Sequence, residues 1–442
     1  MSRVALIGKN SVEYVKLLID IWNQGDSAVL IDWHTPLTVA FEMMMEAGVE
    51  KAYIQDVFLT TISAKTTYEI ETITFKANGE LTEVFPDYIY SKYQNNYSRN
   101  EAVIIYSSGT TGKSKGIILS HFAISTNADA IIDYMAPMET DCIYIVRSLT
   151  HSSTLTGELL VALKTRMKVV LTSDAVPPRY IFRTVQQYSV TLLCLNPYLL
   201  SLLCDELGRE VYCISSLRFI FVSGAILSDI VYKKAHNVFS IPIYNGYGLS
   251  ETAPRLTVQR SDCCISNSVG KPIKGVEIIV VDDDGTPVSI GKRGTIHVKT
   301  PCLFSGYVSG AEKHHSLYLN WFNTGDVGFI DEYGELHIVD RIDDLIICDA
   351  HKVYPSDIEN KIKSIRGIDD CVVCKCVCND TEILGCLYVA DCVKTIEIVR
   401  FLKQLLVPSE IPKRYVKVNN IPHNSRGKID RLKASHLLSD IV

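Results

Sequence analysis

Apolar segments alternate with helical patterns over residues 4–54. Three apolar segments, at 4–7, 28–31 and 51–54, are separated by two amphipathic segments at 13–24 and 38–47. Strands joined by helices of this length need crossover connections, so they pair in parallel, with a right-handed crossover. The sequence therefore predicts an α/β fold with a large N-terminal domain of mostly parallel sheets flanked by helices. Residues 55–100 lack the pattern and are expected to form an irregular connection.

The chain has 442 residues, which is too many for one hydrophobic core, so more than one folding unit is expected. Its net charge of −6 provides no basic field for nucleic acid or for an anionic membrane, and we expect neither as a partner. No uncharged apolar run reaches the roughly 18 residues of a membrane span, and no apolar segment typical of a secretory signal follows Met1. We expect a cytoplasmic protein with reduced thiols.

Four of the fourteen cysteines are close together in the sequence. They are Cys371, Cys374, Cys376 and Cys378. Their near-alternation favours a strand in which cysteine acts as a small apolar residue, and a metal site is the alternative.

The loop at residues 107–115 lies between apolar strands predicted at 103–106 and 117–119. Glycines allow backbone amides to approach an anion, hydroxyls add donors, and lysines supply positive charge. The sequence therefore predicts a phosphate-binding loop, whose nucleotide-binding residues are Ser107, Ser108, Gly109, Thr110, Thr111, Gly112 and Lys115. A solvated hairpin tip is the alternative. A P-loop is excluded, because Ser107 stands where its first glycine is needed and a strand follows the loop.

A second motif covers residues 241–252 and ends with Ser250-Glu251-Thr252. Tyr247 can stack on a purine, and the carboxylate of Glu251 can hold Mg²⁺ beside phosphate. The glycines of this motif have no side chains, so a ligand can approach the backbone closely. The predicted nucleotide-binding residues are Asn245, Gly246, Tyr247, Gly248 and Ser250. Taken alone, the motif could also be a bulged strand end with a surface carboxylate.

Residues 107–116 resemble the phosphate-loop signature of the adenylate-forming superfamily, and the 241–252 motif follows in the expected order. This superfamily includes acyl-CoA synthetases, aryl-acid ligases, luciferases and the adenylation domains of peptide synthetases. The resemblance implies that Gly224 and Ala225 form a wall of the adenine pocket. It also implies that His151 lines the carboxylate pocket as an orienting group. A capped or surface imidazole is the alternative for His151.

The resemblance extends to the C-terminal third of the chain. Asp326 and Arg341 match residues that bind the ribose, although an ordinary ion pair would use the same residue types. Lys428 occupies the place of the family's catalytic lysine, where composition alone would indicate a surface lysine. Asp343 matches the hinge about which the small C-terminal domain rotates.

Three regions are expected from the resemblance together with the strand pattern. Residues 1–341 form the N-terminal adenylation core, which includes a β-rich subdomain at about 269–340. Residues 342–442 form a mobile α+β lid domain that carries Lys428.

The implied function is ATP-dependent activation of a small carboxylic acid to an acyl adenylate, with release of pyrophosphate. Transfer then follows to the thiol of CoA or of a carrier-protein phosphopantetheine. The cofactors are ATP and Mg²⁺, with Lys428, Glu251 and His151 as catalytic residues. Residues 150–154 contain no acid to hold an α-ammonium, so an aryl or short acyl acid is favoured. A free-standing amino-acid adenylation domain and an inactive nucleotide-binding relative are the alternatives.

The loop that the family uses for thiol transfer departs from the family pattern at two positions. Ile347 and Ala350 stand where the family usually has lysine and glycine, and the added Cβ restricts the backbone. We therefore expect altered thiol transfer, restricted to one carrier protein, with adenylation intact.

Overall fold

The computed structural model describes residues 1–61, 70–78, 80–108, 114–173, 176–259, 268–310, 321–348, 351–378, 381–423 and 429–439. The chain divides into two compact units. The first comprises Met1–Ile278 and Val298–Phe322, and the second comprises Ile279–His297 and Asn323–Val442. The strands and turns on either side of residue 341 belong to the same unit, and a functional boundary at 341/342 stays a prediction.

The strands are β1 (Arg3–Ile7), β2 (Ser27–Ile31), β3 (Lys51–Gln55), β4 (Glu71–Phe75), β5 (Thr82–Val84), β6 (Glu101–Ser108), β7 (Ser114–Ser120), β8 (Cys142–Ile145), β9 (Lys168–Thr172), β10 (Leu192–Leu195), β11 (Phe219–Val222), β12 (Ile243–Gly248), β13 (Arg255–Val258), β14 (Ser268–Pro272), β15 (Glu277–Val281), β16 (Gly294–Lys299), β17 (Gly306–Tyr307), β18 (Phe322–Ile330), β19 (Leu336–Arg341), β20 (Ile346–Cys348), β21 (His351–Val353), β22 (Ile368–Cys378), β23 (Thr381–Ala390) and β24 (Arg414–Lys417).

The helices are α1 (Val12–Asn23), α2 (Leu37–Glu46), α3 (Asp87–Lys92), α4 (His121–Met135), α5 (Ser152–Thr154), α6 (Val161–Thr165), α7 (Pro178–Tyr188), α8 (Pro197–Leu207), α9 (Asp229–Val238), α10 (Pro355–Lys363), α11 (Thr395–Leu402) and α12 (Arg431–Ser439). A π-helical turn, Leu155–Leu160, joins α5 to α6. Among the residues that the structure describes, no helix is long and apolar enough to cross a bilayer.

The first unit contains two sheets. One has the strand order β17-β7-β6-β2-β1-β3-β4, and β1 to β4 and β6 pair in parallel within it. The other runs β14-β13-β12-β11-β10-β8-β9-β5, with a parallel centre from β12 to β9. Helices α7, α8 and α9 supply side chains to a core on one face of this second sheet. The predicted mostly parallel α/β fold is confirmed.

Local signals set several element boundaries. The hydroxyl of Ser120 accepts a hydrogen bond from the Ala123 amide (3.1 Å) and caps α4. Part of the prediction for residues 55–100 was wrong, because β4, β5 and α3 form there. β4 extends the sheet by pairing with β3, and that pairing depends on tertiary contacts rather than on local pattern.

The second unit contains the antiparallel pairs β18–β19, β20–β21 and β22–β23, and β24 pairs with β23 in parallel. The predicted cysteine strand forms as β22. Cys374 and Cys376 pack into one core cluster, but Cys371 packs into the cluster on the other face, so the four cysteines do not share one face. Within the described ranges, no group of three or more His, Cys, Asp or Glu side chains is placed to hold a metal ion.

Candidate active site in the first unit

The predicted segments follow the carboxyl ends of parallel strands in the second sheet. His151 comes after β8, Gly224 and Ala225 come after β11, and Glu251 comes after β12. Because β8, β10, β11 and β12 are parallel, these segments emerge at the same edge of the sheet. Ligands in open α/β sheets bind at this edge.

A hydrogen bond between two serines joins the His151 segment to the Glu251 segment. The Ser152 hydroxyl donates to the Ser250 hydroxyl at 3.0 Å, although the two residues are 98 positions apart. Ser152 begins helix α5, for which His151 is the N-terminal flanking residue. The structure therefore brings two predicted segments together through Ser152, which sequence reasoning did not single out.

Glu251 lies in a short 3₁₀ turn, Ser250–Thr252, and is held by two contacts. Its Oε1 accepts a hydrogen bond from the Tyr307 hydroxyl (3.1 Å), and its backbone carbonyl accepts one from the Phe304 amide (2.8 Å). Tyr307 was missed, because the Gly306-Tyr307 pair gave no signal beyond a turn in the β-rich region. The first contact orients the carboxylate, and the second holds the backbone of the turn.

Tyr307 also links Glu251 to the strand that leaves the predicted phosphate loop. β17 pairs antiparallel with β7, which places Tyr307 opposite Ile117. The Lys115 ammonium lies 5.7 Å from the centre of the Tyr307 ring. Lys115 and Glu251 therefore flank the same tyrosine.

The strands on either side of the predicted phosphate loop extend further than expected into residues 107–115. β6 continues to Ser108 and β7 begins at Ser114, because the two strands stay paired as an antiparallel hairpin with Ser107 opposite Lys115. Gly109, Thr110, Thr111 and Gly112 lie outside the described residues, as does the side chain of Ser108. Their role in phosphate binding stays a prediction.

The glycines of β12 are required by the packing of the protein. A Cβ on Gly246 would lie 2.5 Å from the Phe221 ring, and a Cβ on Gly248 would lie 1.9 Å from the Pro254 carbonyl oxygen. Asn245 is buried, and its side-chain amide donates to the Ser268 carbonyl (2.8 Å). Gly246, Gly248 and Asn245 therefore have a structural role. Their predicted contacts with nucleotide, like those of Tyr247 and Ser250, stay predictions.

Gly224 and Ala225 are exposed at the end of β11. Gly224 has a φ of +96°, a region that favours glycine, and no atom lies within 4 Å of the position that its Cβ would occupy. Open space at this strand end suits the predicted adenine wall.

The segment before His151 is hydrogen-bonded to the carboxylate of Asp32, which follows β2 in the other sheet. The Thr150 hydroxyl donates to Asp32 (3.2 Å), and the His34 ring pairs with the same carboxylate (2.7 Å). Burial alone would raise the pKa of Asp32, but hydrogen bonds from the His34 backbone and ring, with the nearby His34 and His151 charges, bring that pKa below its ordinary value. Asp32 was not predicted, because it lies 118 positions from Thr150.

In the second unit, Asp326 and Arg341 stand opposite each other on β18 and β19. Their side chains form an ion pair of 3.5 Å, and Asp326 is buried. Asp343 lies in the exposed 3₁₀ turn Ile342–Asp344, and Ile347 is 62% exposed. Lys428 and Ala350 lie outside the described residues. Ribose binding, the hinge and the catalytic lysine stay predictions.

Comparison with known proteins decides the family. The sequence profile of a family described as AMP-binding enzyme matches residues 1–308. The chain belongs to the AMP-binding enzyme family. The predicted adenylate-forming superfamily is confirmed, and so is the general class of enzyme, an AMP-forming acid–thiol ligase.

Relatives of this AMP-binding enzyme include two bacterial ligases. The 2-succinylbenzoate–CoA ligase of Bacillus mycoides (strain KBAB4) is 28% identical over 460 residues, which covers 99% of this chain and 89% of the relative. The 2-succinylbenzoate–CoA ligase of Lactococcus lactis subsp. lactis (strain IL1403) is 24% identical over 432 residues and covers 97% of this chain and 89% of the relative.

Solved structures share the fold of this AMP-binding enzyme. ATP-bound MatB from Rhodopseudomonas palustris superposes with a TM-score of 0.88 at 23% identity, covering 100% of this chain and 89% of that one. The anthranilate CoA ligase AuaEII in complex with anthranoyl-AMP gives a TM-score of 0.85 at 20% identity, covering 99% of this chain and 87% of that one.

The donor set around Glu251 suits Mg²⁺ in this AMP-binding enzyme. Mg²⁺ prefers oxygen ligands and is usually held by one or two carboxylates together with substrate phosphates. Glu251 offers a carboxylate that accepts a hydrogen bond from the Tyr307 hydroxyl, and Ser250, whose hydroxyl accepts from Ser152, precedes it in the chain. The residues present therefore fit a magnesium ion that shares its coordination with ATP.

Proposed function

We propose that the chain joins an aryl carboxylic acid to CoA through an acyl adenylate. The proposal is based on two hydrogen bonds, one between Ser152 and Ser250 and one between Tyr307 and Glu251. They bring the predicted acid-orienting and metal-binding segments to one edge of the sheet. Relatives named as 2-succinylbenzoate–CoA ligases and a structural neighbour that binds anthranoyl-AMP support an aryl acid.

The first step brings two anions together. A carboxylate oxygen of the acid attacks the α-phosphorus of ATP, and the bond to pyrophosphate breaks. Ser107 and Lys115 would contact the phosphates, and Glu251 would hold Mg²⁺, which supplies positive charge to the phosphate oxygens. His151 would orient the acid, and Lys428 would contact the reacting oxygens.

The second step transfers the acyl group. The sulfur of the thiol attacks the acyl carbon, and AMP leaves with the electron pair of the broken C–O bond. CoA is the proposed acceptor, because the named relatives are CoA ligases. A carrier-protein phosphopantetheine remains the alternative hypothesis, motivated by Ile347 and Ala350. Equal thioester formation with free CoA and with every carrier tested would remove the hypothesis of a restricted acceptor.

A pyrophosphate-exchange assay tests the substrate class. The purified chain is incubated with ATP, Mg²⁺ and labelled pyrophosphate in the presence of aryl acids, short aliphatic acids or α-amino acids. We expect the highest rate of exchange with aryl acids. Exchange that depends only on amino acids would favour the adenylation-domain alternative, and ATP binding without exchange for any acid would favour an inactive relative.

Replacing Lys428 by alanine tests the catalytic assignment. We expect adenylate formation to be lost while ATP binding changes by less than about tenfold, because the lysine acts on the transition state. Exchange and equilibrium binding are measured on the same preparation. Full exchange activity in the variant would remove Lys428 from the mechanism.

A further inference from the structure

Two side chains that follow strands of the first sheet hold the segment that leads to His151. Asn10 follows β1 and Asp32 follows β2, and these neighbouring strands pair in parallel, so both side chains lie at the same edge of the sheet. The segment that they hold, residues 147–150, follows β8 in the second sheet. The two sheets of the first unit are therefore joined directly before the predicted acid-orienting residue.

Asn10 holds the backbone of this segment. Its side-chain oxygen accepts a hydrogen bond from the Leu149 amide (3.0 Å), and its side-chain amide donates to the Arg147 carbonyl (2.9 Å). Asn10 is only 8% exposed, so water competes little for these two bonds. An uncharged side chain of this kind sets the path of the chain but does not alter the charge near His151.

Asp32 holds the last residue of the segment through a side chain and adds a negative charge. One carboxylate oxygen accepts from the Thr150 hydroxyl (3.2 Å), which shares a further hydrogen bond with the Ser148 hydroxyl (2.8 Å). The other oxygen accepts from the backbone amide of His34 (2.9 Å) and pairs with its ring (2.7 Å). Thr150 is buried and directly precedes His151. The carboxylate is therefore oriented through both of its oxygens.

The charge of Asp32 acts on His151. Burial raises the pKa of Asp32, but the hydrogen bonds from His34 and the charges of His34 and His151 bring that pKa below its ordinary value, so Asp32 is ionised at neutral pH. The attraction between two charges acts on both partners. An ionised Asp32 therefore favours the protonated form of His151.

Neighbouring elements bring two further titratable groups close to Asp32. Tyr14 lies on α1, and burial followed by the charge of Asp32 raises its pKa, so its hydroxyl stays neutral. The ammonium of Lys9 lies 4.7 Å from the centre of the ring of Trp33, the residue after Asp32. Neither group has an ordinary pKa near neutral pH, so the histidines are the groups expected to titrate there.

We propose that Asp32 is a positioning residue of the ligase, which orients His151 through Thr150 and favours the protonated imidazole that binds the carboxylate of the acid. This rests on the proposed function, in which His151 orients the acid. A purely structural Asp32, which serves only as a partner for His34, is the competing explanation. Such an aspartate would change the stability of the protein and leave the charge of His151 unaltered.

A titration of the His151 ring tests the electrostatic effect directly. The imidazole signal of the full-length protein is followed by NMR from about pH 5 to about pH 9, and it is assigned by its loss in His151→Gln. In Asp32→Asn we expect the proton affinity of the ring to fall by at least about threefold, because the negative charge is removed. Thr150→Val keeps the carboxylate and should change the proton affinity less.

Pyrophosphate exchange tests the consequence for acid binding. It is measured with the acid that supports the fastest exchange. In Asp32→Asn the KM for the acid should rise about tenfold at about pH 8, and less at about pH 6, where His151 is protonated without help from the carboxylate. The KM for ATP should change by less than about threefold. Thr150→Val should raise the KM for the acid at both pH values, and Thr150→Ser, which keeps the hydroxyl, should restore it.

Asp141→Asn is the matched control. Asp141 is 1% exposed and accepts a hydrogen bond from the Thr191 hydroxyl (2.7 Å), much as Asp32 accepts one from Thr150. It directly precedes β8, so it lies at the opposite edge of the second sheet from His151. This variant should be less stable, with the His151 titration and the KM for the acid near wild type. Thermal melting establishes that each variant is folded.

A lower proton affinity of His151 together with a pH-dependent rise in the KM for the acid, both confined to Asp32→Asn, supports the proposal. An unchanged His151 titration in folded Asp32→Asn, an unchanged KM for the acid, or equal changes in the KM values for acid and ATP overturns it. The proposed function fails separately, when no aryl acid supports exchange in the wild type. The His151 titration then decides the role of Asp32, because it does not depend on activity.

Discussion

At the scale of single residues, the Tyr307 hydroxyl is the most informative contact of the candidate site. It donates to the carboxylate that is expected to hold Mg²⁺, and its ring lies next to Lys115. A carboxylate that is oriented by a hydrogen bond binds a metal more tightly than one that must be ordered on binding, and loss of such a partner typically costs 10–100-fold in metal affinity or activity.

Tyr307→Phe should therefore raise the Mg²⁺ concentration needed for half-maximal pyrophosphate exchange by roughly tenfold, with the maximal rate at saturating Mg²⁺ changed less. A magnesium titration measures this. Tyr333→Phe is the control, because Tyr333 is an exposed tyrosine in a turn. An unchanged titration curve for Tyr307→Phe would show that Tyr307 does not contribute to metal binding.

A buried histidine at the start of α4 makes stability depend on pH. His121 is 6% exposed and packs edge-on against Trp22 at 5.8 Å, and burial lowers its pKa to about 4. Because the unfolded chain binds a proton near the ordinary pKa of 6.5, it binds more protons than the folded chain between these values. The free energy of unfolding should then fall as the pH drops from 6.5 towards 4.

His121→Phe should remove this contribution. Relative to the variant, the wild type should lose about 1–2 kcal/mol of unfolding free energy between pH 7 and pH 5, as measured by urea denaturation. The comparison with the variant cancels contributions from other titrating groups. Parallel pH profiles of the two proteins would contradict the assignment.

At the scale of elements, Arg431 anchors the first residue of helix α12 to the cysteine strand β22. Arg431 donates to Glu359 on α10 (2.6 Å) and to the Val373 carbonyl on β22 (2.7 Å), and Glu359 in turn accepts from the Val373 amide (2.8 Å). Arg431 lies three residues after Lys428. The arginine therefore fixes the start of the helix that follows the proposed catalytic lysine.

Arg431→Met should destabilise the second unit by about 3–5 kcal/mol, because it leaves the buried Glu359 carboxylate without a counter-charge. The control is Lys375→Met, which breaks an exposed ion pair with Glu382 on the same sheet and should cost less than about 1 kcal/mol. Both are measured by denaturant unfolding. Equal effects of the two substitutions would show that the Arg431 network contributes little.

At the scale of the whole molecule, the resemblance to the adenylate-forming superfamily predicts a hinge at Asp343. Proline at this position restricts the backbone of the turn, whereas alanine keeps its freedom and removes only the carboxylate. Asp343→Pro should lower thioester formation by at least about tenfold and leave pyrophosphate exchange within about threefold. Asp343→Ala should leave both steps near wild type.

The two half-reactions are measured separately, by labelled pyrophosphate and by release of a CoA thioester. Equal losses in both half-reactions of Asp343→Pro would argue for a general folding defect and against a hinge.

The parts of this protein that the sequence predicted are those that depend on local signals. The alternation over residues 4–54 predicted the parallel sheet, and the 241–252 motif singled out Glu251, whose metal-binding role stays a prediction. Hydrophobic period, helix caps and clustered glycines act over a few residues, so they can be recognised without knowledge of the fold.

Only the tertiary structure decided which distant residues meet. The sequence by itself determined the α/β class and the order of the binding segments, but Ser152–Ser250, Tyr307–Glu251 and Thr150–Asp32 join residues 98, 56 and 118 positions apart. A pattern within ten residues contains no information about such pairings, because sheet order sets them and many sheet orders fit the same local pattern.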